Sequence, residues 1–213
     1  MKHTFPYRLY LVLSQKDCGD KNFLWVAQEA IKGGVDVIQL REKEYTYHQF
    51  IQSAQQLKAI TDQYKVPLII NDNLEVQQKL STSGLHVGVN DISPVEVRKI
   101  WNQSGFLLGY SIEKIEQINS LQADNADYLG ISPVFKTATK TDTITEWGLE
   151  GISQIRQLTD KPLVAIGNMN KENAAKVIKA GADCIAVVSA ICKSENPQQA
   201  ARELKNEILK DLP

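Results

Sequence analysis

The sequence predicts an α/β protein, because short and almost wholly apolar runs alternate along the chain with longer segments of helical periodicity. The eight candidate strands are 8–13, 36–40, 67–71, 84–88, 106–110, 127–131, 162–166 and 183–188. Strands without polar alternation are typical of parallel sheets that are covered on both faces. Eight such strands within 213 residues, separated by helices, predict a single TIM (β/α)8 barrel that spans residues 1–213.

Two segments between the strands show helical periodicity plainly. In the first, apolar residues recur at steps of three and four at Phe50, Ile51, Ala54, Leu57, Ile60 and Tyr64. This spacing predicts a helix with one buried face. In the second, Ala174, Val177 and Ile178 precede Gly181, a residue type that often follows the end of a helix.

The two halves of the chain resemble each other. The segments GVDVIQL (34–40) and NADYLGI (125–131) are similar, and so are KVPLIIND (65–72) and DKPLVAIGN (160–168). Strands two and three therefore have counterparts in strands six and seven, which is the offset that two half-barrels would give. The same short motifs also occur as generic openings of buried strands, and both interpretations lead to the α/β class.

The composition excludes several classes of partner. Lys and Arg total 24 and Asp and Glu total 25, for a net charge of −1, whereas nucleic-acid and anionic-membrane binders usually carry a basic surplus.

The first apolar run, Leu9 to Leu13, is too short to span a membrane. The three cysteines lack CxxC spacing, as expected for reduced thiols in the cytoplasm. We therefore expect a cytoplasmic protein with no nucleic-acid or membrane partner, and the sequence leaves a homo-oligomer open.

Polar residues or glycine follow seven of the eight candidate strands. From the second strand to the eighth they are Gln39, Arg41 and Lys43; Asn71 and Asp72; Asn90 and Asp91; Ser111; Thr137, Thr139 and Lys140; Gly167; and Val188 with Ser189. The carboxyl ends of all strands in a TIM barrel meet at one face, where the active site lies. These residues therefore predict one site.

The charges in this set indicate the chemistry of the site. Arg41, Lys43 and Lys140 supply positive charge, and Asp72 and Asp91 supply carboxylates from adjacent strands. Cations beside two carboxylates suit a divalent ion, such as Mg²⁺, that bridges protein oxygens to a phosphate. The alternative is a surface network of ion pairs, which the position of each residue directly after an apolar strand disfavours.

Gly167, Val188 and Ser189 indicate a phosphate pocket. They follow strands seven and eight, the two strands whose loops commonly bind phosphate in this fold. Glycine lets the backbone approach an anion closely. The alternative is a turn that caps a helix without binding any ligand.

Other chemically active side chains have structural explanations. His86 lies inside strand four, where a packed or hydrogen-bonded histidine is expected. Asn73 suits a helix N-cap. Cys18, Cys184 and Cys192 have no paired base and are expected to be buried and inert.

The chain resembles the thiamine-phosphate synthase family, which includes the TenI-type proteins, from about Leu9 to Ile191. The segments that carry the resemblance are VIQLREK (37–43), LIIND (68–72), GLHVGVND (84–91), GYS (109–111), ADYLGISPVFKTATK (126–140), GLEG (148–151), VAIGN (164–168) and GADCIAVVSAI (181–191). Their shared order and spacing make the resemblance specific.

The resemblance implies a TIM-barrel transferase that joins hydroxymethylpyrimidine diphosphate to a thiazole phosphate, with Mg²⁺ as cofactor. Gln39 resembles the residue that meets the pyrimidine, and Asp72 and Asp91 resemble the metal ligands. Five positions resemble diphosphate contacts, namely Arg41, Lys43, Asn71, Ser111 and Lys140. The resemblance implies a catalytic role for all of them except Asn71. Those that resemble thiazole-phosphate contacts are Thr137, Thr139, Gly167, Val188 and Ser189.

Four positions depart from the common pattern of the family. Asn73 stands where many members have Arg, Val89 where most have Gln, Glu113 where His is common, and Asn168 where a second glycine is usual. Asn can adopt left-handed backbone angles, so Asn168 need not close the pocket. The departures bear on substrate details and rate more than on the type of reaction.

Three alternatives to the synthase remain open at the level of sequence. The first is a TenI-type thiazole tautomerase, which needs an acid or base at the substrate ring, a role for which Glu113 is the candidate. The second is a catalytically silent barrel that binds phosphorylated ligands as a regulator. The third is a phosphosugar isomerase or epimerase, because a fold alone does not fix a function.

Overall fold

Eight parallel strands close into a barrel in which each strand pairs with its neighbours in sequence and β8 pairs with β1. A computed structural model of the chain describes residues 5–136 and 146–210. The strands are β1 Leu9–Leu13, β2 Val37–Leu40, β3 Leu68–Asn71, β4 Gly84–Val87, β5 Leu107–Ile112, β6 Tyr128–Ile131, β7 Leu163–Ile166 and β8 Cys184–Val187. The predicted TIM barrel and all eight of its strands are confirmed.

Helices follow the strands and cover the outside of the barrel. Within the described residues they are α1 Gln15–Cys18, α2 Phe23–Lys32, α3 Tyr47–Tyr64, α4 Leu74–Leu80, α5 Pro94–Ile100, α6 Leu121–Asn125, α7 Gly148–Leu158, α8 Ala174–Lys179, α9 Ser189–Cys192 and α10 Pro197–Leu209, with a 3₁₀ turn at Ile115–Asn119. In the described part of the chain, no helix is both long and apolar enough to span a membrane.

The predicted helix around residues 50–64 is α3, and its sequence explains where it begins. The Thr46 side chain accepts the backbone N–H of Gln49, whose own side chain bonds back to Thr46, a capping box that satisfies two N–H groups at the helix start. The apolar positions Phe50, Ala54 and Leu57 are buried, as their spacing predicts. A hydrogen-bonded start and one apolar face therefore fix the helix.

The side chains of the barrel form two separate apolar layers. The larger cluster lies between the strands and the helices. The smaller one fills the barrel interior and consists of Tyr10, Val12, Val37, Ile69, Leu107, Tyr128, Val164, Cys184 and Ala186. Phe5, which precedes β1, packs on Tyr128 with their ring centroids 4.8 Å apart. The interior is thus a packed core at the end where the strands begin.

Aspartates directly before β2, β6 and β8 hold the start of the preceding strand. Each carboxylate accepts a hydrogen bond from a backbone N–H of that strand. Asp36 accepts from Leu9 at 2.9 Å, Asp127 from Leu108 at 2.7 Å and Asp183 from Leu163 at 2.8 Å. They also pair with helix cations, respectively Lys205, Arg98 and Arg156. The aspartates of the repeated motifs GVDV and NADY therefore join strand to strand and sheet to helix at the end remote from the predicted site.

Candidate active site

An open cavity lies at the carboxyl ends of the strands, with an empty volume of about 1130 Å³ counted out into the solvent at its mouth. Ten of the thirteen residues to which the family resemblance gives a role line it, namely Gln39, Arg41, Lys43, Asn71, Asp72, Asp91, Ser111, Gly167, Val188 and Ser189. The other three, Thr137, Thr139 and Lys140, lie outside the described residues. The structure therefore gathers the described part of the predicted set at one place.

Strand geometry explains why these side chains point inward. Alternate residues of a strand face opposite sides, and Gln39 shares its face with Val37, an interior residue of β2. Ser111 has the same relation to Leu107 on β5. On β2, β3 and β5 the interior positions near the start are apolar (Val37, Ile69 and Leu107), and those near the end are polar (Gln39, Asn71 and Ser111). The same face thus changes from core to cavity along the strand.

Two carboxylates face each other after β3 and β4. The backbone of Asp72 is left-handed (φ 60°), and its N–H donates to the carbonyl of His86 at 2.8 Å. Asp91 accepts the backbone N–H of Gly88 at 2.7 Å. Both carboxylates are therefore held in place by backbone hydrogen bonds, and they interact directly with each other.

The contact between the two carboxylates changes their titration. Burial and the hydrogen bond with Asp91 raise the pKa of Asp72 to about 6, against a lowering by Lys43. Burial also acts to raise the pKa of Asp91, but bonds from Asp72 and Gly88 and the charge of Lys43 hold that pKa below its usual value. Ionising both groups is thus costly, and a cation between them would relieve the cost.

The donor set at this pair fits Mg²⁺. Mg²⁺ is commonly held by one or two carboxylates, with waters and substrate phosphates completing its shell. In residues 5–136 and 146–210, no group of three or more His, Cys, Asp or Glu side chains is placed to hold a metal. Asp72 and Asp91 could therefore hold an ion that also needs oxygen atoms from the substrate.

Positive charge and amide groups surround the carboxylate pair. Lys43 forms an ion pair with Asp72, and the Asn71 amide donates to the other oxygen of Asp72 at 2.7 Å. Arg41 lines the cavity nearby, two residues before Lys43 on the same loop. The site thus combines acidic and basic groups, as expected for a bound metal–phosphate pair.

A chain of hydrogen bonds crosses the cavity floor and contains two residues that the sequence analysis missed, Tyr10 and Tyr128. The Gln39 amide donates to the Tyr10 hydroxyl at 2.9 Å, which lies 3.0 Å from the Tyr128 hydroxyl. His86 joins Tyr128 to Ser111, with Nδ1 3.1 Å from the Tyr128 hydroxyl and Nε2 2.8 Å from Ser111 Oγ. His86 is thus hydrogen bonded, as expected. Tyrosines at interior positions of otherwise apolar strands were the available signal.

Two glycines make room for this chain. A Cβ atom at Gly109 would lie 2.2 Å from the Tyr128 ring and 2.3 Å from His86 Nδ1. A Cβ atom at Gly130 would lie 3.1 Å from the His86 ring. The glycines of GYS and YLGI therefore leave space on β5 and β6 that the His86 and Tyr128 rings fill.

The structure gives Gly167 a packing role that the sequence did not predict. Its φ is 119°, and a Cβ atom there would lie 2.8 Å from both Pro133 Cβ and the backbone nitrogen of Val134. The Val134 N–H donates to the Ile166 carbonyl at 2.8 Å. The lack of a side chain thus lets the segment after β6 lie against the end of β7, beside the cavity.

The structure shows local contacts or backbone angles that account for three of the four departures from the family pattern. Asn73 caps α4 by accepting the N–H of Val76 at 2.9 Å, as predicted. Val89 packs against the outer apolar cluster. Asn168 is left-handed (φ 52°) and lines the cavity, a backbone conformation that glycine also adopts readily. Among the described residues that line the cavity, Glu113 is not found.

The closed barrel, its carboxylate pair and its cations define a TIM-barrel enzyme with a site suited to phosphorylated substrates. The family described as thiamine monophosphate synthase matches residues 9–191, and the chain belongs to it. Thiamine-phosphate synthases of Albidiferax ferrireducens and Leptospira biflexa are each 41% identical to it, over 93% of this chain and 90% and 96% of theirs.

A solved structure supports the same relationship. The thiamine phosphate pyrophosphorylase of Pyrococcus furiosus matches with a TM-score of 0.87 and 28% identity, over 98% of both chains. The likeness covers the whole barrel together with its helices. The family and the fold that the resemblance implied are therefore confirmed.

Proposed function

We propose that this chain is a Mg²⁺-dependent transferase of thiamine biosynthesis, which joins hydroxymethylpyrimidine diphosphate to a thiazole phosphate and releases pyrophosphate. The relatives that match over nearly its whole length carry the synthase name, which supports the transferase over the tautomerase and the silent regulator. The single observation that carries the proposal is the contact of Lys43 with Asp72, beside Asp91, in one open cavity.

The reaction requires stabilisation of a leaving anion. The bond from the pyrimidine methylene carbon to the diphosphate oxygen breaks, and the thiazole nitrogen forms the new bond to that carbon. The pyrophosphate keeps the electron pair of the broken bond, so negative charge develops on it. Fixed positive charge and hydrogen-bond donors at that position lower the barrier. Arg41 and Lys43 would supply the charge and Ser111 a donor. The Asn71 amide donates to Asp72 and to the His86 carbonyl in this structure, so it would reach the diphosphate only after leaving one of these bonds.

Asp72 and Asp91 would hold the Mg²⁺ ion, which neutralises pyrophosphate charge when it is bound. A divalent ion held by the two carboxylates would compete with Lys43 for Asp72. The Lys43 ammonium would then be available to the diphosphate, so this side chain would couple metal binding to substrate binding.

The substrate-holding residues follow from the same cavity. Gln39 lies at its floor, where it would meet the pyrimidine, and Gly167, Val188 and Ser189 line the side where the thiazole phosphate would bind. We assign Thr137, Thr139 and Lys140 to the substrates on the family resemblance alone. We expect the protein to act in the cytoplasm on small phosphorylated molecules.

An assay of the purified chain tests the proposal. With both substrates and Mg²⁺, it should form thiamine phosphate and pyrophosphate in equal amounts, and omission of either substrate or chelation of the metal should stop both. Conversion of a thiazole carboxylate phosphate to its aromatic tautomer, without any coupling, would instead establish the tautomerase.

A further inference from the structure

We propose that Gln39, acting through Tyr10, Tyr128 and His86, turns the hydroxyl proton of Ser111 toward the cavity, which makes Ser111 a one-way hydrogen-bond donor to an anionic substrate group. The inference deepens the proposed function and rests on it for the identity of that anion, the diphosphate. His86 is a positioning residue in this arrangement, because it acts through Ser111.

Each of the five side chains lies within hydrogen-bond distance of the next, although they come from five different strands. The separations are 2.9 Å from Gln39 Nε2 to the Tyr10 hydroxyl, 3.0 Å between the two tyrosine hydroxyls, 3.1 Å to His86 Nδ1 and 2.8 Å from His86 Nε2 to Ser111 Oγ. Tyr10 and Tyr128 are 1% and 0% exposed, so water does not replace these bonds. A change at one end must therefore propagate through the chain.

The direction of the chain follows from counting protons. Gln39 donates to the Tyr10 oxygen, so the single proton of Tyr10 is left to donate to Tyr128. The Tyr128 hydroxyl then donates its hydrogen bond to His86 Nδ1, which acts as the acceptor. A neutral imidazole carries its proton on the other nitrogen, so Nε2–H donates to Ser111 Oγ. The Ser111 proton remains for the cavity.

The opposite direction leaves a buried donor without an acceptor. If His86 Nδ1–H donated to Tyr128, Tyr128 would donate to Tyr10, and Tyr10 would then accept two bonds. In the ranges 5–136 and 146–210, the hydrogen bonds of the Tyr10 hydroxyl go to Gln39 and Tyr128, so its own proton would have no acceptor there. An unpaired buried donor costs free energy, because it loses its bond to water without gaining another. A doubly protonated His86 incurs the same cost.

The tautomer of His86 tests the direction without requiring turnover. The sequence contains three histidines, so ¹⁵N spectra of the intact protein with labelled imidazoles contain few signals. The signals that are missing from the spectrum of the His86→Gln variant belong to His86. We expect a proton-bearing Nε2 and an unprotonated Nδ1. A proton on Nδ1, alone or together with Nε2, would overturn the proposal.

A double-mutant cycle tests whether the chain acts through Ser111. Tyr128→Phe should lower kcat/KM on the order of 10-fold, the size expected when a hydrogen bond to a charged group is misdirected. It should cause no further loss in the Ser111→Ala background. Additive losses would make Tyr128 merely structural and would overturn the relay.

Two controls keep the test decisive. Tyr110→Phe removes the hydroxyl of a buried tyrosine on β5 that belongs to the outer cluster, and it should leave kcat/KM unchanged. If Tyr128→Phe does not fold, the His86 tautomer of the unmutated protein decides. If the unmutated protein forms no thiamine phosphate but His86 carries its proton on Nε2, the proposed function fails while the orientation of Ser111 stands.

Discussion

The Lys43 ammonium forms an ion pair with the Asp72 carboxylate, which also contacts the carboxylate of Asp91. The charge of this ammonium alone is smaller than that of the two carboxylates when both are ionised. Lys43 is half exposed, whereas the Asp72 side chain is 20% exposed, so the lysine can move away more easily than the aspartate. Under the proposed function, a divalent ion would take the place of the lysine.

Asp72→Asn should lower Mg²⁺-dependent turnover on the order of 10²-fold, a loss typical of an electrostatic catalytic group. Asn accepts the left-handed backbone at this position (φ 60°), so the fold is retained. Steady-state rates against Mg²⁺ concentration measure the effect. Asp62→Asn, in an exposed pair on α3, is the control. Unchanged Mg²⁺ dependence in Asp72→Asn would refute the metal site.

The same variant should be more stable than the unmutated protein when metal is absent at pH 7–8. The folded-state pKa of Asp72, about 6, lies above its ordinary 3.8, so the folded state favours the protonated form. Stability is therefore lost as pH rises from about 4 through 6. Asn removes this loss. The rise in the Asp72 pKa corresponds to roughly 3 kcal/mol at most, and the lowered pKa of Asp91 offsets part of it, so we expect Tm to rise by a few degrees.

Thermal unfolding with EDTA, from pH 4 to pH 8, measures this difference. The gain should disappear near pH 4, where Asp72 is protonated in both states. Added Mg²⁺ should raise the Tm of the unmutated protein and leave that of Asp72→Asn unchanged. A variant that is less stable at pH 8 without metal would contradict the prediction.

Lys43→Gln should lower kcat and kcat/KM together, because the lysine charge is needed most when pyrophosphate leaves. We expect a loss on the order of 10²-fold. Lys16→Gln is the matched control, because Lys16 is an exposed lysine paired with Glu44. A change in KM alone would show that Lys43 binds the substrate without acting in the chemical step.

Gly167→Ala should destabilise the protein more than Gly105→Ala does. Both glycines have positive φ (119° and 80°), but a Cβ atom at Gly105 meets nothing within 4 Å, whereas one at Gly167 meets Pro133 and Val134. Backbone strain costs about 1–2 kcal/mol at each position, and the clash adds roughly 1–3 kcal/mol at Gly167. Urea unfolding of both variants measures the difference, and equal losses would exclude the packing role.

Asp127→Ala should cost roughly 3 kcal/mol of unfolding free energy, because it leaves both Arg98 and the Leu108 N–H without their buried partner. Asp127→Asn should cost less, since its amide oxygen can still accept the Leu108 N–H. Asp160→Ala is the surface control. Urea unfolding checks the order of the three variants, and equal stability of Asp127→Ala and Asp127→Asn would remove the strand-capping role.

The sequence by itself determined the elements of the barrel. Each strand lies within its predicted range or within two residues of it, because apolar runs this short suit strands that are covered on both faces and not helices. Local signals were also sufficient for Asn73, which caps α4 through the N–H of a residue three positions later. Interactions of this range depend on neighbours in the sequence, and the sequence contains them.

The tertiary structure alone decided how distant residues meet. Tyr10 and Tyr128 are 118 residues apart in sequence, and their bond exists only because closure of the barrel brings β1 and β6 to face each other across the interior. Gly167 likewise shows a turn signal in the sequence, but its contact with Pro133 and Val134 depends on how β6 and β7 lie together. Side-chain identity fixes which bonds a residue can form, whereas the register and closure of the barrel fix which partner it finds.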